Sequence, residues 1–320
     1  VLKGENLFMA WKVLITDGLE KVGLDLINQA GEAVNKKGIE AAQLLAEVAE
    51  YDGMIVRGRT KVTREVFEAA KNLKVVGRAG VGVDNIDLAA AKEHGVTVVN
   101  CPTATSEAVA ELSMAMLFAL TRELPRADAS MKAEVWDKKN LMGVELMGKT
   151  LGMIGFGNIG SLVAKYAAAM GMHVVVYRRT WNPEQVKAHG AEQVTLDDLL
   201  ARADFISLNL PLNAESKYLI NDAAFAKMKD GVRIVDASRG GVIEQAALLR
   251  ALQSGKVAGA AIDVYEKEPP VDWELAKHPK VIATPHIGGQ TIEAQNRAAA
   301  DISSEVMNVL EGKELRWKIC

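Results

Sequence analysis

Residues 150–170 constrain this chain more than any other stretch. Thr150-Leu-Gly-Met-Ile154 is a short apolar run with strand character, Gly155-Phe-Gly157-Asn-Ile-Gly160 follows without a spacer, and Ser161 to Met170 reads as a helix. A strand, a Gly-x-Gly-x-x-Gly turn and a helix in that order make the geometry that seats a pyrophosphate. The first glycine permits the tight turn, the second lets backbone N–H groups approach the phosphates, and the third lets the helix pack close to the strand. The positive end of the helix then faces the negative charge. The plain alternative is a glycine-punctuated turn with no ligand.

The same rule asks for an acidic residue about 20 positions further on, at the end of the second strand, to hold both ribose hydroxyls of NAD. Here the run His173–Tyr177 ends instead in Arg178-Arg179-Thr180, and no Asp or Glu occurs between Gly160 and Glu184. A guanidinium fork suits a 2′-phosphate in charge and shape. The expected cofactor is therefore NADP(H) in preference to NAD(H), held through Arg178 and Arg179. The competing reading is that these arginines are merely solvated at a strand end.

With 320 residues, the chain is long enough for two domains of roughly 100–200 residues each. Lys12–Thr16, Gly53–Arg57, Val75–Arg78 and Val96–Asn100 read as strands, with helices such as Lys61–Lys71 between them. The theme returns in Thr150–Ile154, His173–Tyr177, Phe205–Leu208, Arg233–Asp236, Gly259–Asp263 and Val281–Ala283. Such alternation predicts an α/β fold of two doubly wound parallel sheets. Helical patterns near Ser106–Thr121 and Thr291–Leu310 have no strand of their own and fall where the chain passes between the two halves. The expected division is 9–104 plus 290–320 for one domain and 105–289 for a continuous insertion.

Composition narrows the function. A net charge of −3 lacks the basic excess that nucleic acid demands. The longest apolar run, Leu112 to Leu120 apart from Ser113, is too short to span a bilayer. Val1 to Phe8 lack the pattern of a secretory signal, and Met9 reads as the natural start. Two cysteines, Cys101 and Cys320, without a CxxC pair, favour a reducing cytoplasm over a disulfide framework or a zinc site. No metal cluster is expected. His94, His173, His189 and His278 have no partners in any motif and read as structural or solvated.

Three stretches near later strand ends carry the chemistry: Asp236-Ala-Ser-Arg239-Gly-Gly, Asp263-Val-Tyr-Glu-Lys-Glu268-Pro and Thr284-Pro-His286-Ile-Gly-Gly. In open parallel sheets, ligands sit beyond the carboxyl ends of the strands. Reduction of a 2-keto acid needs a cation for its carboxylate, an acid to protonate the carbonyl oxygen, and a carboxylate to orient that acid. Arg239, His286 and Glu268 can fill these roles. Taken singly they would be a capping cation, an ordinary histidine and a loop charge.

Together with Gly77-Arg-Ala-Gly80-Val-Gly82-Val-Asp84-Asn85, Val109-Ala-Glu111-Leu, Ser238-Arg239-Gly240-Gly241, Ala247-Leu-Leu-Arg-Ala-Leu and Ala260-Ala-Ile-Asp263-Val, these motifs cover nearly the whole chain. In them the sequence resembles the D-isomer-specific 2-hydroxyacid dehydrogenases, and within that family the phosphoglycerate dehydrogenase branch. The resemblance implies a Rossmann cofactor domain inserted into a flavodoxin-like substrate domain. It implies that Arg239 binds and polarises substrate, that His286 exchanges the proton, and that Glu268 pairs with the other imidazole nitrogen and favours its charged form. It gives Val81 and Gly82 backbone contacts to the substrate carboxylate, places Ala237 and Asp263 beside the nicotinamide carboxamide, and wraps Asn158 and Ile159 around the pyrophosphate.

Arg57-Gly58-Arg59-Thr60 resembles the family's phosphate-contacting segment, which makes Arg57 and Arg59 candidate ligands of 3-phosphoglycerate. Thr103-Ala104-Thr105-Ser106 departs from that branch, which usually shows a Gly-Asn pair there. The regulatory C-terminal extension of many relatives is also missing, so feedback by serine is not expected. Relatives are usually dimers, and Trp136 in Met131–Lys138 matches a segment that reaches the neighbouring subunit. Two other readings stay open. One is an NADPH-dependent glyoxylate or hydroxypyruvate reductase, towards which the arginine pair points. The other is a dinucleotide-sensing binding protein like the co-repressors that resemble this family.

Overall fold

The structure is a computed structural model that describes residues 11–320; the expected start at Met9 and the absence of a signal in Val1–Phe8 concern residues outside that range. The described chain divides into two compact units. One takes the residues up to Thr105 together with Gln290–Cys320, and the other takes Ser106–Gly289.

The first unit is built on a parallel sheet of β1 (Trp11–Ile15), β2 (Gly31–Asn35), β3 (Gly53–Val56), β4 (Val75–Arg78) and β5 (Thr97–Asn100), in the order β2-β1-β3-β4-β5. This is the flavodoxin-like order. β3 is buried at every residue because helices cover both faces of the sheet, so it reads as an unbroken apolar run. The helix Ile292–Leu310 returns from the far end of the sequence to cover β3, β4 and β5, and also packs against the helix Lys21–Ile27. Its Ile302 and Val306 are wholly buried and join Val13, Ile55 and Val75 in one core.

The second unit carries seven parallel strands: β6 (Thr150–Ile154), β7 (His173–Tyr177), β8 (Ala191–Gln193), β9 (Phe205–Leu208), β10 (Val232–Asp236), β11 (Val257–Ile262) and β12 (Val281–Ala283). Their order is β12-β11-β10-β9-β6-β7-β8, the doubly wound dinucleotide-binding arrangement extended by one strand. The order reverses at β6, whose neighbours are β9 and β7. The helix Ser106–Arg122 packs within this unit, on the helix Asn158–Ala169 and on β10 and β11.

Among the described residues, ten of the twelve strands follow the sequence pattern. β2 (Gly-Glu-Ala-Val-Asn) and β8 (Ala-Glu-Gln) escape it because each lies at a sheet edge, where polar residues are tolerated along the strand. The helix expected over Lys61–Lys71 shortens to Arg64–Ala69. Val62 is drawn instead into a parallel bridge with Ile86, and Thr63 takes the extended conformation that starts the helix. Among the described residues no helix is long and apolar enough to cross a membrane, and no group of three His, Cys, Asp or Glu side chains is placed to hold a metal ion.

Candidate active site

At the end of β6 the three glycines meet three different physical demands. Gly155 has φ +97°, and a Cβ there would lie 2.3 Å from the carbonyl oxygen of Asn209. A Cβ on Gly160 would lie 2.5 Å from the carbonyl oxygen of Gly155, so only glycine lets the helix come this close to the turn. Around Gly157 nothing lies within 4 Å of an added Cβ. That open space adjoins the N-terminus of the 12-residue helix Asn158–Ala169, whose first-turn N–H groups have no acceptor within the helix. Asn158 and Ile159 are the first residues of that turn. An anionic group approaching here would meet oriented N–H dipoles and no side chain, which fits a pyrophosphate.

Arg178 and Arg179 follow directly on β7. The Arg178 guanidinium donates to Gln185 Oε1 at 2.6 Å. Arg179 Nη1 lies 3.0 Å from Oε2 of Glu215, on the loop after β9, with both side chains largely exposed. The local sequence places no acid within reach of these arginines; the fold brings one from 36 residues away. Gln193 of β8 braces the segment, donating to Thr180 O at 3.1 Å and accepting from Asn182 N at 2.7 Å.

The ends of β10 and β11 and the segment after β12 converge. Asp263 is 1% exposed, and its carboxylate organises the loop that carries His286. It accepts from the Thr284 hydroxyl at 2.6 Å, from Ile287 N at 2.8 Å and, on its other oxygen, from Gly288 N at 2.8 Å. His286 itself donates its backbone N–H to Asp263 O and adopts a left-handed φ of 53°. These bonds fix a conformation that a residue with a Cβ rarely takes. The His286 ring then presents Nδ1 at 2.7 Å from Glu268 Oε2, while Glu268 Oε1 accepts from Tyr265 N at 3.1 Å.

Partial burial pushes the Glu268 carboxyl up. The hydrogen bond and charge of His286, the Tyr265 N–H and the charge of Arg239 outweigh it, and the net effect is below the ordinary carboxylate range. Arg239 follows β10, is half-buried and donates Nη1 to Ser238 O at 2.8 Å. Arg239, Glu268 and His286 thus share one electrostatic neighbourhood within the second unit. Ala237, half-exposed, directly follows β10, two residues before Arg239. Burial, reinforced by the charge of Asp263, pushes Asp236 up to about 6 despite two hydrogen bonds from Ser238.

In the first unit, Arg57 and Arg59 follow β3, and Val81 and Gly82 follow the neighbouring β4. Asn85 ties the two loops together, donating to Arg57 O at 2.9 Å and Thr60 O at 2.6 Å. Asn100 Nδ2 holds Val81 O at 2.6 Å. The centre of this network is Asp17, a residue sequence reasoning missed although it lies just past the end of β1. Its almost fully buried carboxylate accepts from Arg57 N at 2.7 Å, Thr60 Oγ1 at 2.6 Å and Arg59 Nε at 3.2 Å. Arg59 also donates to the carbonyls of Thr16 and Ile39. The Arg57 guanidinium binds Glu20 and Gln295. Both arginines are therefore committed to partners in this chain, which the motif alone did not suggest.

Residues 114–288 match the family model described as D-isomer specific 2-hydroxyacid dehydrogenase, NAD binding domain. The chain belongs to the D-isomer specific 2-hydroxyacid dehydrogenase family. Rat D-3-phosphoglycerate dehydrogenase is 45% identical over 305 residues, 95% of this chain but 57% of that protein, so the chain spans little more than half the length of this relative. Among solved structures of similar shape, the TT0316 protein of Thermus thermophilus superposes with a TM-score of 0.89 at 34% identity, covering 97% of this chain and all of that one. A glyoxylate reductase described as from Paecilomyes thermophila gives 0.89 at 32% identity, covering 97% and 98%. Membership of the D-isomer specific 2-hydroxyacid dehydrogenases accounts for both the sheet order of the second unit and the order Arg239, Glu268, His286 along the chain.

Proposed function

We propose that this protein is a D-3-phosphoglycerate dehydrogenase, which oxidises 3-phosphoglycerate to 3-phosphohydroxypyruvate with a nicotinamide dinucleotide. The observation that carries the chemistry is the 2.7 Å contact between His286 Nδ1 and Glu268 Oε2. With Nδ1–H donated to the carboxylate, Nε2 is the nitrogen left to exchange a proton with substrate. His286 takes the proton of the C2 hydroxyl during oxidation and returns it during reduction. Glu268, ionised and hydrogen-bonded, stabilises the imidazolium so formed. Arg239 holds the substrate carboxylate and draws charge towards C2. Bound at the glycine loop, the dinucleotide supplies or accepts the hydride.

For the dinucleotide, Gly155, Gly157, Asn158, Ile159 and Gly160 form the pyrophosphate seat, and Ala237 and Asp263 lie on the nicotinamide side. Arg178 and Arg179 favour NADP(H). Val81 and Gly82 offer backbone N–H groups to the substrate carboxylate, and Arg57 and Arg59 offer charge to its phosphate. The choice of phosphoglycerate rests on similarity to the rat enzyme.

One observation favours a second reading, an NADPH-dependent glyoxylate or hydroxypyruvate reductase. Arg59 is already bonded to the buried carboxylate of Asp17 and two carbonyls, and Arg57 to Glu20, whereas after β7 Arg178 meets only the neutral Gln185 and the Arg179–Glu215 pair is largely exposed. Steady-state rates of 3-phosphoglycerate oxidation and of glyoxylate or hydroxypyruvate reduction, each with NAD(H) and NADP(H), separate the two. Efficient phosphoglycerate oxidation upholds the first reading. NADPH-linked reduction with phosphoglycerate inert replaces it with the second.

A homodimer completes the proposal. The helix Leu124–Lys132 buries none of its residues, and Met131 within it and Val135, Trp136 and Met142 in the segment after it are exposed, apolar side chains suited to a second copy. Sedimentation that returns a monomer would remove that part. The cytoplasm is the proposed compartment, since Cys101 and Cys320 are both free thiols.

A further inference from the structure

We infer that Glu215 acts as a brake on binding of the 2′-phosphorylated dinucleotide, by competing with that phosphate for Arg179. The inference rests on the reading of the arginine pair as a 2′-phosphate site. β6 lies between β9 and β7 in the sheet, so a bond from the loop after β7 to the loop after β9 passes over the end of β6. The Arg179–Glu215 pair, at 3.0 Å, is such a bond. Beneath it the loop after β9 is held to the glycine strand, with Asn209 N donating to Ile154 O at 2.8 Å.

The position of Glu215 is itself fixed locally. The Asn213 side chain accepts from Glu215 N at 2.9 Å and Ser216 N at 3.0 Å, and Ser216 Oγ donates to Pro211 O at 2.6 Å. The carboxylate is therefore delivered to Arg179 by a built turn. A 2′-phosphate that engages Arg179 must share the guanidinium with the Glu215 carboxylate or displace it, and must then lie near that carboxylate; both oppose binding. A dinucleotide with a free 2′-hydroxyl meets neither penalty. Arg178 is paired with the neutral Gln185, so no competing charge is spent there.

The test is titration of the whole purified chain with NADPH and with NADH, following nicotinamide fluorescence, for wild type, Glu215→Gln, Arg179→Ala and the double variant. Because the pair is exposed, the expected gain is modest: Glu215→Gln tightens NADPH roughly 2- to 5-fold and leaves NADH unchanged, and the difference shrinks at high salt. Arg179→Ala weakens NADPH, and adding Glu215→Gln to it restores nothing. If Arg179→Ala weakens NADPH while Glu215→Gln fails to tighten it, or tightens NADH equally, the role of Glu215 is overturned and the arginine site survives. If Arg179→Ala leaves NADPH binding untouched, Arg179 is no ligand of the 2′-phosphate and this inference is overturned, whatever Arg178 does.

Discussion

His286 combines two features that rarely coincide by accident: a left-handed backbone at φ 53° and a ring hydrogen-bonded to a carboxylate whose own ionised form is favoured. If it is the proton carrier, His286→Ala should lower turnover roughly 10²- to 10⁴-fold, the usual worth of a positioned acid or base. Dinucleotide affinity, measured by fluorescence titration, should stay at the wild-type value. Near-normal turnover would remove His286 from the role. Asp236 supports a different prediction. Its folded-state carboxyl is raised from 3.8 to about 6, so it holds its proton more tightly folded than unfolded. The contribution is therefore neutral at acid pH, begins to oppose folding as pH rises past about 4, and reaches its full cost above about 6. The size is about 3 kcal/mol. Asp236→Asn keeps the acceptor for Ser238 and cannot ionise. Its stability relative to wild type, read from urea unfolding, should climb between pH 4 and pH 6 and then level off. A constant difference across that range would contradict the buried ionisation.

Among the elements, the loop after β12 depends on one buried side chain. Asp263→Asn would turn an NH₂ group towards either the Thr284–Ile287 pair or Gly288 N, leaving at least one buried donor unmatched. A cost of roughly 1–3 kcal/mol is expected, with faster hydrogen exchange at residues 284–288 than elsewhere in the second unit. Uniform exchange across the unit would argue that the loop is held by other means. What was legible in the sequence follows the same physics. The glycine loop could be read because Gly155 and Gly160 each answer a steric demand and Gly157 leaves the helix N-terminus open, and buried parallel strands announce themselves as apolar runs. Edge strands β2 and β8 could not, because only one flank is paired and their residues are free to be polar. Arg239, Glu268 and His286 were visible as motif residues at strand ends. The commitment of Arg59 to Asp17, and the arrival of Glu215 beside Arg179, were not, since both bonds join loops that only the sheet order brings together.

At the scale of the molecule, the two units differ in how the chain builds them. The second is continuous from Ser106 to Gly289, whereas the first needs its last 31 residues, Gln290–Cys320, to complete a sheet made by the N-terminal part. Those residues supply a face and an edge. Ile302, Val306, Met307 and Leu310 cover the sheet, and the terminal stretch lies antiparallel to β5, with Ile319 N donating to Val98 O at 2.8 Å and Val98 N to Cys320 O at 3.2 Å. Glu305, wholly buried, ties the two by accepting from Arg316 N and Trp317 N. Each of the four apolar side chains contributes about 1.5–3 kcal/mol on burial, so their loss together rivals the whole stability of a domain, about 5–15 kcal/mol. A chain ending at Gly289 should therefore fold its second unit and not its first. Hydrogen exchange followed by mass spectrometry should show β6 to β12 protected and β1 to β5 exchanging freely. Protection of β1 to β5 in that truncated chain would mean that the N-terminal part closes its core without the returning helix.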